Sequence, residues 1–141
     1  MEGLIHQEYD VERGNYQTAG EASADMKRRL RQLGVSALLL RRLAVASYEV
    51  ELNLVIHSLG GKLTFDVDPE GVQLISEDRG PGIPDIEMAM KEGYSTANDE
   101  ARSLGFGAGM GLPNMKRNAD EFDIQSTPGV GTKITMRFLF R

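Results

Sequence analysis

Three polar side chains recur at four-residue intervals in a stretch of the chain that is otherwise mostly apolar: Glu49, Asn53 and His57. Residues four apart lie on one face of an α-helix, so the three would share a face. A polar surface stripe is the simpler interpretation. Residues 52 and 54–56 are all apolar, however, and a turn that is apolar almost all round favours a pocket. An asparagine oxygen in a pocket suits Mg²⁺, which keeps waters and takes its other ligands from phosphates.

A second group of residues lies at the end of a predicted strand, where Asp78 is followed by Gly80 and Gly82. A tight loop would by itself explain the glycines, because Pro-Gly predicts a turn. The functional alternative makes Asp78 a buried carboxylate that accepts hydrogen bonds from a ligand. The two glycines would then let the backbone approach a flat ring.

A third group is the run of four alternating glycines over residues 105–111, which favours neither helix nor strand. Such a run can present several backbone N–H groups to one anion. The predicted helix that follows points its N-terminus at the same place, which favours phosphate. A flexible hinge is the alternative, and the run is neither a Walker loop nor a dinucleotide fingerprint. Gly131 and Thr132, before the last strand, indicate by themselves only a hairpin.

In this order, the four segments resemble the ATP-binding domain shared by gyrase, Hsp90, histidine kinases and MutL, which is known as the Bergerat or GHKL fold. The resemblance covers about residues 36–140. The residues that match its four motifs are, in chain order, Glu49, Asn53 and His57; Asp78, Gly80 and Gly82; Gly107, Gly109, Gly111 and Leu112; and Gly131 and Thr132.

Within that superfamily the short chain is similar to the stand-alone anti-sigma factor serine kinases and switch serine kinases of bacterial stress and sporulation signalling. Residues 77–86 and 93–96 especially resemble the switch-kinase branch. Neither His6, in a predicted strand, nor His57 suits the phosphoacceptor histidine of a sensor kinase. Glu51 departs from the family pattern, since a small residue is more usual there. The register favours Glu49 as the carboxylate that faces the phosphate.

The resemblance implies a role for each matched residue. Asp78 would accept a hydrogen bond from the adenine amine, with Thr132 nearby, and Asn53 would hold a Mg²⁺ that bridges the phosphates. Glu49 would act as general base or orienter toward a serine hydroxyl, under a lid of about residues 93–108. The other implied nucleotide contacts are His57, Gly80, Gly82, Gly105, Gly107, Ala108, Gly109, Met110, Gly111 and Leu112.

The activity that the resemblance implies is transfer of the ATP γ-phosphate to a serine of a STAS-type anti-sigma antagonist in bacterial transcription control. One alternative is a non-catalytic module whose nucleotide state governs capture of a sigma factor or another regulator. Plain ATP hydrolysis is a third. The sequence leaves open the identity of the partner, the upstream signal and the oligomeric state, a homodimer included.

Composition limits the class of protein further. The 141 residues include no cysteine, which excludes disulfides, thiolate metal sites and a cysteine nucleophile. A net charge of −5 argues against direct nucleic-acid binding. No apolar run approaches the roughly 20 residues that a membrane span needs. The first residues also lack the order of a signal peptide, so we expect a cytoplasmic protein.

The elements that must position these residues follow from periodicity and turn signals. We expect one histidine kinase-like ATP-binding domain over residues 1–141. Its fold should be an α+β two-layer α/β sandwich, with a mixed, mostly antiparallel sheet and helices on one face. The predicted strands are 3–11, 63–67, 72–78, 121–127 and 132–140, and the predicted helices are 15–33, 36–58 with Ser36 as its cap, 86–91 and 111–120.

Overall fold

The computed structural model describes residues 5–80, 86, 90 and 111–140, with the exception of the side chain of residue 57. Eight elements occupy these residues and confirm the predicted α+β class. In chain order they are β1 (Ile5–Val11), α1 (Glu21–Gln32), α2 (Ala37–His57), β2 (Gly61–Asp68), β3 (Gly71–Asp78), α3 (Gly111–Asn118), β4 (Glu121–Thr127) and β5 (Gly131–Leu139).

The strands form one sheet in the order β1-β2-β3-β5-β4, and within the described residues every pairing is antiparallel. Two of the pairings are the predicted hairpins, β2 with β3 and β4 with β5. The first turn is closed by Asp68, whose Oδ1 accepts hydrogen bonds from the N–H groups of Glu70 (2.8 Å) and Gly71 (3.0 Å). A side chain that caps its own turn in this way explains why the turn signal was readable from sequence.

One face of the sheet carries the hydrophobic core. Alternate residues of the central strands are fully buried, while their neighbours face the other side and keep some exposure. This alternation is what a sheet covered by helices on a single face requires. The largest fully buried side chains from the sheet and the helices are Phe65, Phe138, Met26, Leu30, Leu43, Leu54, Leu63, Leu74, Met115 and Met136.

The first helix begins later than its periodicity predicts. The prediction of a helix over 15–33 is wrong for residues 15–20, because α1 starts at Glu21. Gly14 and Gly20 both adopt positive φ angles, 73° and 99°, which a right-handed helix cannot include. The Gly14 N–H instead donates to the Val55 carbonyl at 2.8 Å, so this segment is a connection packed on α2.

The long helix α2 has the predicted cap at its start. The Ser36 Oγ accepts a hydrogen bond from the Leu39 N–H at 3.3 Å, which satisfies one of the free donors of the first turn. Its 21 residues correspond to roughly 30 Å at 1.5 Å per residue. No helix within the described ranges is both long and apolar enough to cross a membrane.

The short helix α3 lies antiparallel to α2. At one end the Arg42 Nε donates to the Asn118 carbonyl at 2.9 Å, and Arg42 also pairs with Asp120 at 3.3 Å. At the other end Gly111 lies beside Glu49 and Asn53, about two and three turns further along α2. This arrangement brings the N-terminus of α3 to the C-terminal half of α2.

Two predicted segments fall mainly outside the described residues. The predicted helix 86–91 is described only at Ile86 and Met90, and the Met90 N–H donates to the Ile86 carbonyl at 3.0 Å, an i to i−4 bond typical of a helix. The predicted lid, residues 93–108, lies outside the described part of the chain.

Candidate nucleotide-binding site

Two oxygen atoms of α2 converge on the first residue of α3. A Cβ atom built on Gly111 would lie 3.3 Å from Glu49 Oε2 and 3.4 Å from Asn53 Oδ1. Both side chains therefore reach the same point at a helix N-terminus, where unpaired N–H groups and the helix dipole favour an anion. The absent side chain of Gly111 leaves room for the two oxygens.

Glu49 is half-buried at this point, and burial raises the pKa of its carboxyl group. A hydrogen bond from the Asn114 side chain opposes that rise in pKa. Sequence reasoning gave Asn114 no role. The sequence feature that could have indicated Asn114 is its position three residues after Gly111, because this spacing places both residues on the same face of α3.

The second carboxylate in this part of α2 faces the other way. Glu51 is only 3% exposed. Its Oε2 accepts hydrogen bonds from the N–H groups of Gly20 (3.0 Å) and Ala22 (3.2 Å), and its Oε1 accepts one from Ser23 (2.9 Å). Two residues of helix correspond to roughly 200° of rotation, so Glu49 alone of the two is directed to Gly111.

Asp78 is half-buried at the end of β3, beside the start of β5. Its Oδ1 accepts a hydrogen bond from the Thr132 N–H at 2.9 Å. Burial raises the pKa of Asp78, and the Thr132 hydrogen bond opposes that rise. The Thr132 hydroxyl lies 2.9 Å from the hydroxyl of Ser126, a neighbour that sequence reasoning missed because it is brought in by strand pairing.

Close backbone packing explains two glycines around Asp78. A Cβ on Gly131 would lie 2.1 Å from the Asp78 carbonyl oxygen, which no side chain could tolerate. A Cβ on Gly61 would lie 2.9 Å from Asp78 Cα and 3.0 Å from Leu54 Cδ2. The end of β3 is therefore packed against both β5 and α2. The Gly80 N–H continues this packing by donating to the Val130 carbonyl at 3.3 Å.

The remaining predicted nucleotide contacts are described to different extents. Leu112 is buried in the hydrophobic core, where it anchors the first turn of α3. His57 is the last residue of α2, and its side chain lies outside the described part. The predicted residues that lie wholly outside it are Gly82, Gly105, Gly107, Ala108, Gly109 and Met110.

An antiparallel sheet covered on one face by helices, with an asparagine on the long helix and an aspartate at a strand end, is the arrangement expected of an ATP-binding domain of the GHKL class. The family described as histidine kinase-, DNA gyrase B-, and HSP90-like ATPase matches residues 38–141. The chain belongs to this family.

Relatives with similar sequences indicate which kind of GHKL protein this chain resembles. The serine/threonine-protein kinase RsbT of Bacillus subtilis (strain 168) is 35% identical over 108 residues, which cover 74% of this chain and 75% of the relative. An anti-sigma F factor of Thermoanaerobacter sp. (strain X514) is 37% identical over 93 residues, 62% of each chain. These relatives confirm the predicted class, an ATP-binding kinase of the anti-sigma factor type.

A solved structure supports the fold. The crystal structure of the RsbU and RsbW domains of Rv1364c from Mycobacterium tuberculosis superposes with a TM-score of 0.66 at 17% sequence identity. The similarity covers 98% of this chain and 33% of that one. At this identity the likeness concerns the fold alone.

Proposed function

We propose that this chain binds ATP between α2, α3 and the end of β3, and transfers the γ-phosphate to a serine of a STAS-type regulatory protein. One observation carries the proposal: Glu49 Oε2 and Asn53 Oδ1 both lie within 3.4 Å of one point at Gly111. Asn53, the proposed ligand of the nucleotide's Mg²⁺, and Glu49, the proposed base for the acceptor hydroxyl, can therefore act at the same phosphate.

At the adenine end, the Asp78 carboxylate accepts a hydrogen bond from the exocyclic amine. The Thr132 N–H fixes the orientation of that carboxylate from the other side. The paired hydroxyls of Thr132 and Ser126 lie next to it and can hold a water against the ring. In this proposal Gly80 and Gly82 would border the base, and the backbone amides of residues 107–111 would bind the phosphates.

The oxygens beside Gly111 fit Mg²⁺, a hard cation that prefers oxygen ligands. Asn53 would hold the ion, and the ion would supply neutralisation of phosphate charge. Among the residues that the structure describes, no group of three or more histidine, aspartate or glutamate side chains could hold a metal. Phosphate oxygens and waters would therefore complete the coordination shell.

Glu49 receives the proton of the acceptor. In the transfer, the serine oxygen forms a bond to the γ-phosphorus, the bond from that phosphorus to the β,γ-bridging oxygen breaks, and ADP leaves. The serine proton moves to the Glu49 carboxylate. Burial raises the pKa of Glu49, which makes it a stronger base than an exposed glutamate. The rest of the rate acceleration comes from positioning of the serine and the γ-phosphate and from neutralisation of the phosphate charge.

The proposed partner is a regulatory protein of bacterial transcription, and the proposed location is therefore the cytoplasm. Relatives of this chain are named as a serine/threonine-protein kinase and as anti-sigma F factors. The second of these names favours an additional candidate function, ATP-dependent capture of a sigma factor with little or no catalysis. A homodimer is compatible with either.

The experiment is transfer from γ-labelled ATP to purified STAS-domain proteins, followed by mapping of the phosphorylated residue. The proposal predicts label on one serine of the acceptor that depends on Mg²⁺. Tight ATP binding without label on any acceptor, together with ATP-dependent capture of a sigma factor, would instead establish the second candidate.

A further inference from the structure

Glu51 places a buried carboxylate of α2 at the N-terminus of α1. Its two oxygens accept hydrogen bonds from the N–H groups of Gly20, Ala22 and Ser23, at distances of 2.9 to 3.2 Å. We call these three bonds the Glu51 clamp. The negative carboxylate also lies at the positive end of the α1 dipole, which favours this arrangement.

The Glu51 clamp replaces a cap that α1 lacks. The residue before the helix is Gly20, which has no side chain with which to cap it. The Ser23 hydroxyl donates to the Gly20 carbonyl at 3.0 Å, and the N-cap residue makes no side-chain cap hydrogen bond to the first turn. Helix α1 therefore depends on a residue 28 to 31 positions later in the chain for its first turn.

A surface groove of about 420 Å³ lies between α1 and α2 beside this clamp. Ala24 and Lys27 line it from α1, and Val45, Tyr48 and Glu49 line it from α2. Glu49 thus belongs both to this α1–α2 groove and to the point at Gly111. Within the described residues, this groove therefore meets the candidate nucleotide site at Glu49.

The position of the α1 N-terminus determines the shape of the α1–α2 groove. A Cβ on Gly20 would lie 3.1 Å from the Tyr48 ring, so the start of α1 packs directly under a residue that lines the groove. Ser23, which is bonded to Glu51, lines the groove as well. A shift of the first turn of α1 would therefore move Ser23 and change the backbone surface against which Tyr48 packs.

We propose that Glu51 is a positioning residue for the protein acceptor: by fixing the N-terminus of α1 on α2, it sets the width of the groove along which the acceptor serine reaches Glu49. This inference rests on the proposed kinase function. The expected occupant is a serine-bearing segment with acidic neighbours. Lys27, which lines the groove, and Arg31, one helical turn further along, give this face of α1 basic side chains in a protein with a net charge of −5.

The test uses Glu51→Gln, which keeps the shape of the side chain but replaces one acceptor oxygen by an NH₂ group facing N–H donors. We expect the KM for the protein acceptor to rise about tenfold, which corresponds to about 1.4 kcal/mol. The ATP Kd, and kcat at saturating acceptor, should change by less than about threefold. Glu21→Gln is the matched control, because it removes an exposed charge from the same helix end and should leave the KM unchanged.

A second variant tests the groove with the clamp intact. Ala24 is exposed, so Ala24→Gln should fold normally, fill part of the groove without changing its charge and raise the acceptor KM, whereas Ala37→Gln, at an exposed position on α2 outside the groove, should not. An unchanged acceptor KM in Ala24→Gln overturns the inference, whether or not Glu51→Gln folds. Parallel losses of ATP affinity and kcat in a folded Glu51→Gln overturn it too. A wild type that transfers no phosphate overturns the kinase proposal instead.

Discussion

Glu49 and Glu51 lie two residues apart on α2, yet their carboxylates meet the N-termini of two different helices. Glu49 reaches Gly111 at the start of α3, and Glu51 holds Gly20 and Ser23 at the start of α1. Helix α2 therefore links the nucleotide side of the domain to the α1 side through opposite faces of one turn. Substitutions of the two carboxylates should therefore have different effects. Loss of Glu49 should lower the rate of phosphate transfer, whereas loss of Glu51 should raise the KM for the protein acceptor.

Gly111→Ala should separate helix stability from nucleotide binding. Alanine favours a helix over glycine by up to about 1 kcal/mol, so the melting temperature should not fall. The new methyl group would lie 3.3 Å from Glu49 Oε2, which must shift slightly, and 3.4 Å from Asn53 Oδ1, so it would occupy the point at which the two oxygens meet the proposed phosphate. We expect ATP affinity, measured by calorimetry with Mg²⁺, to fall about tenfold, or about 1.4 kcal/mol. Lys116→Ala, on the exposed face of α3, is the control, and equal affinity in both variants would refute the convergence at Gly111.

Asp78→Asn should weaken ATP binding while leaving the fold intact. The remaining amide oxygen can still accept the Thr132 N–H, but the NH₂ group would then face the adenine amine. An unsatisfied buried polar group costs about 1–3 kcal/mol, so we expect a loss of about tenfold or more. The exposed Asp123→Asn on β4 serves as a control for loss of charge. An Asp78→Asn protein with wild-type ATP affinity would contradict the adenine assignment.

Glu49→Gln should stabilise the protein at neutral pH even though it removes a proposed functional group. Burial raises the pKa of Glu49 above its unfolded-state value. The stability that its protonated form contributes is therefore complete below the ordinary glutamate pKa of about 4.3, and is lost as pH rises through the raised pKa. Glutamine imitates the protonated form at every pH.

Thermal unfolding of both proteins across pH 4 to 8 provides the measurement. The melting temperature of Glu49→Gln should exceed that of wild type at pH 7, and the gap should close on acidification. Glu12→Gln, at an exposed position, should show no such gap. A Glu49→Gln protein that is less stable than wild type at pH 7 would show that the ionised carboxylate is stabilised by its neighbours.

The parts of the fold that sequence predicted depend on local chemistry. Ser36 caps α2 by accepting a hydrogen bond from the N–H group three residues further along, and Asp68 closes its turn by accepting hydrogen bonds from the next residues of the chain. The start of α1 was predicted wrongly because Ala19 continues the apolar period. Gly20 interrupts the helix only through its backbone conformation.

In the candidate site, too, the features set by local spacing could be predicted from sequence, and those set by the packing of distant elements could not. The shared face of Glu49 and Asn53 follows from their spacing, because four residues make about one helical turn. The hydrogen bonds from Asn114 to Glu49 and between Ser126 and Thr132 depend on how elements pack, which no local pattern encodes. The Glu51 clamp joins residues 28 to 31 positions apart, so sequence indicated the unusual carboxylate but not its partners.

The most direct test of the kinase account compares Glu49→Gln with Asn53→Ala in one preparation, measuring ATP affinity and phosphate transfer to the acceptor serine. Asn53→Ala should lower both, because it removes the group proposed to hold Mg²⁺. Glu49→Gln should keep ATP affinity within a few fold while transfer falls by about 10²–10⁴, the range typical of general-base loss. Transfer at the wild-type rate by a folded Glu49→Gln protein would contradict the account.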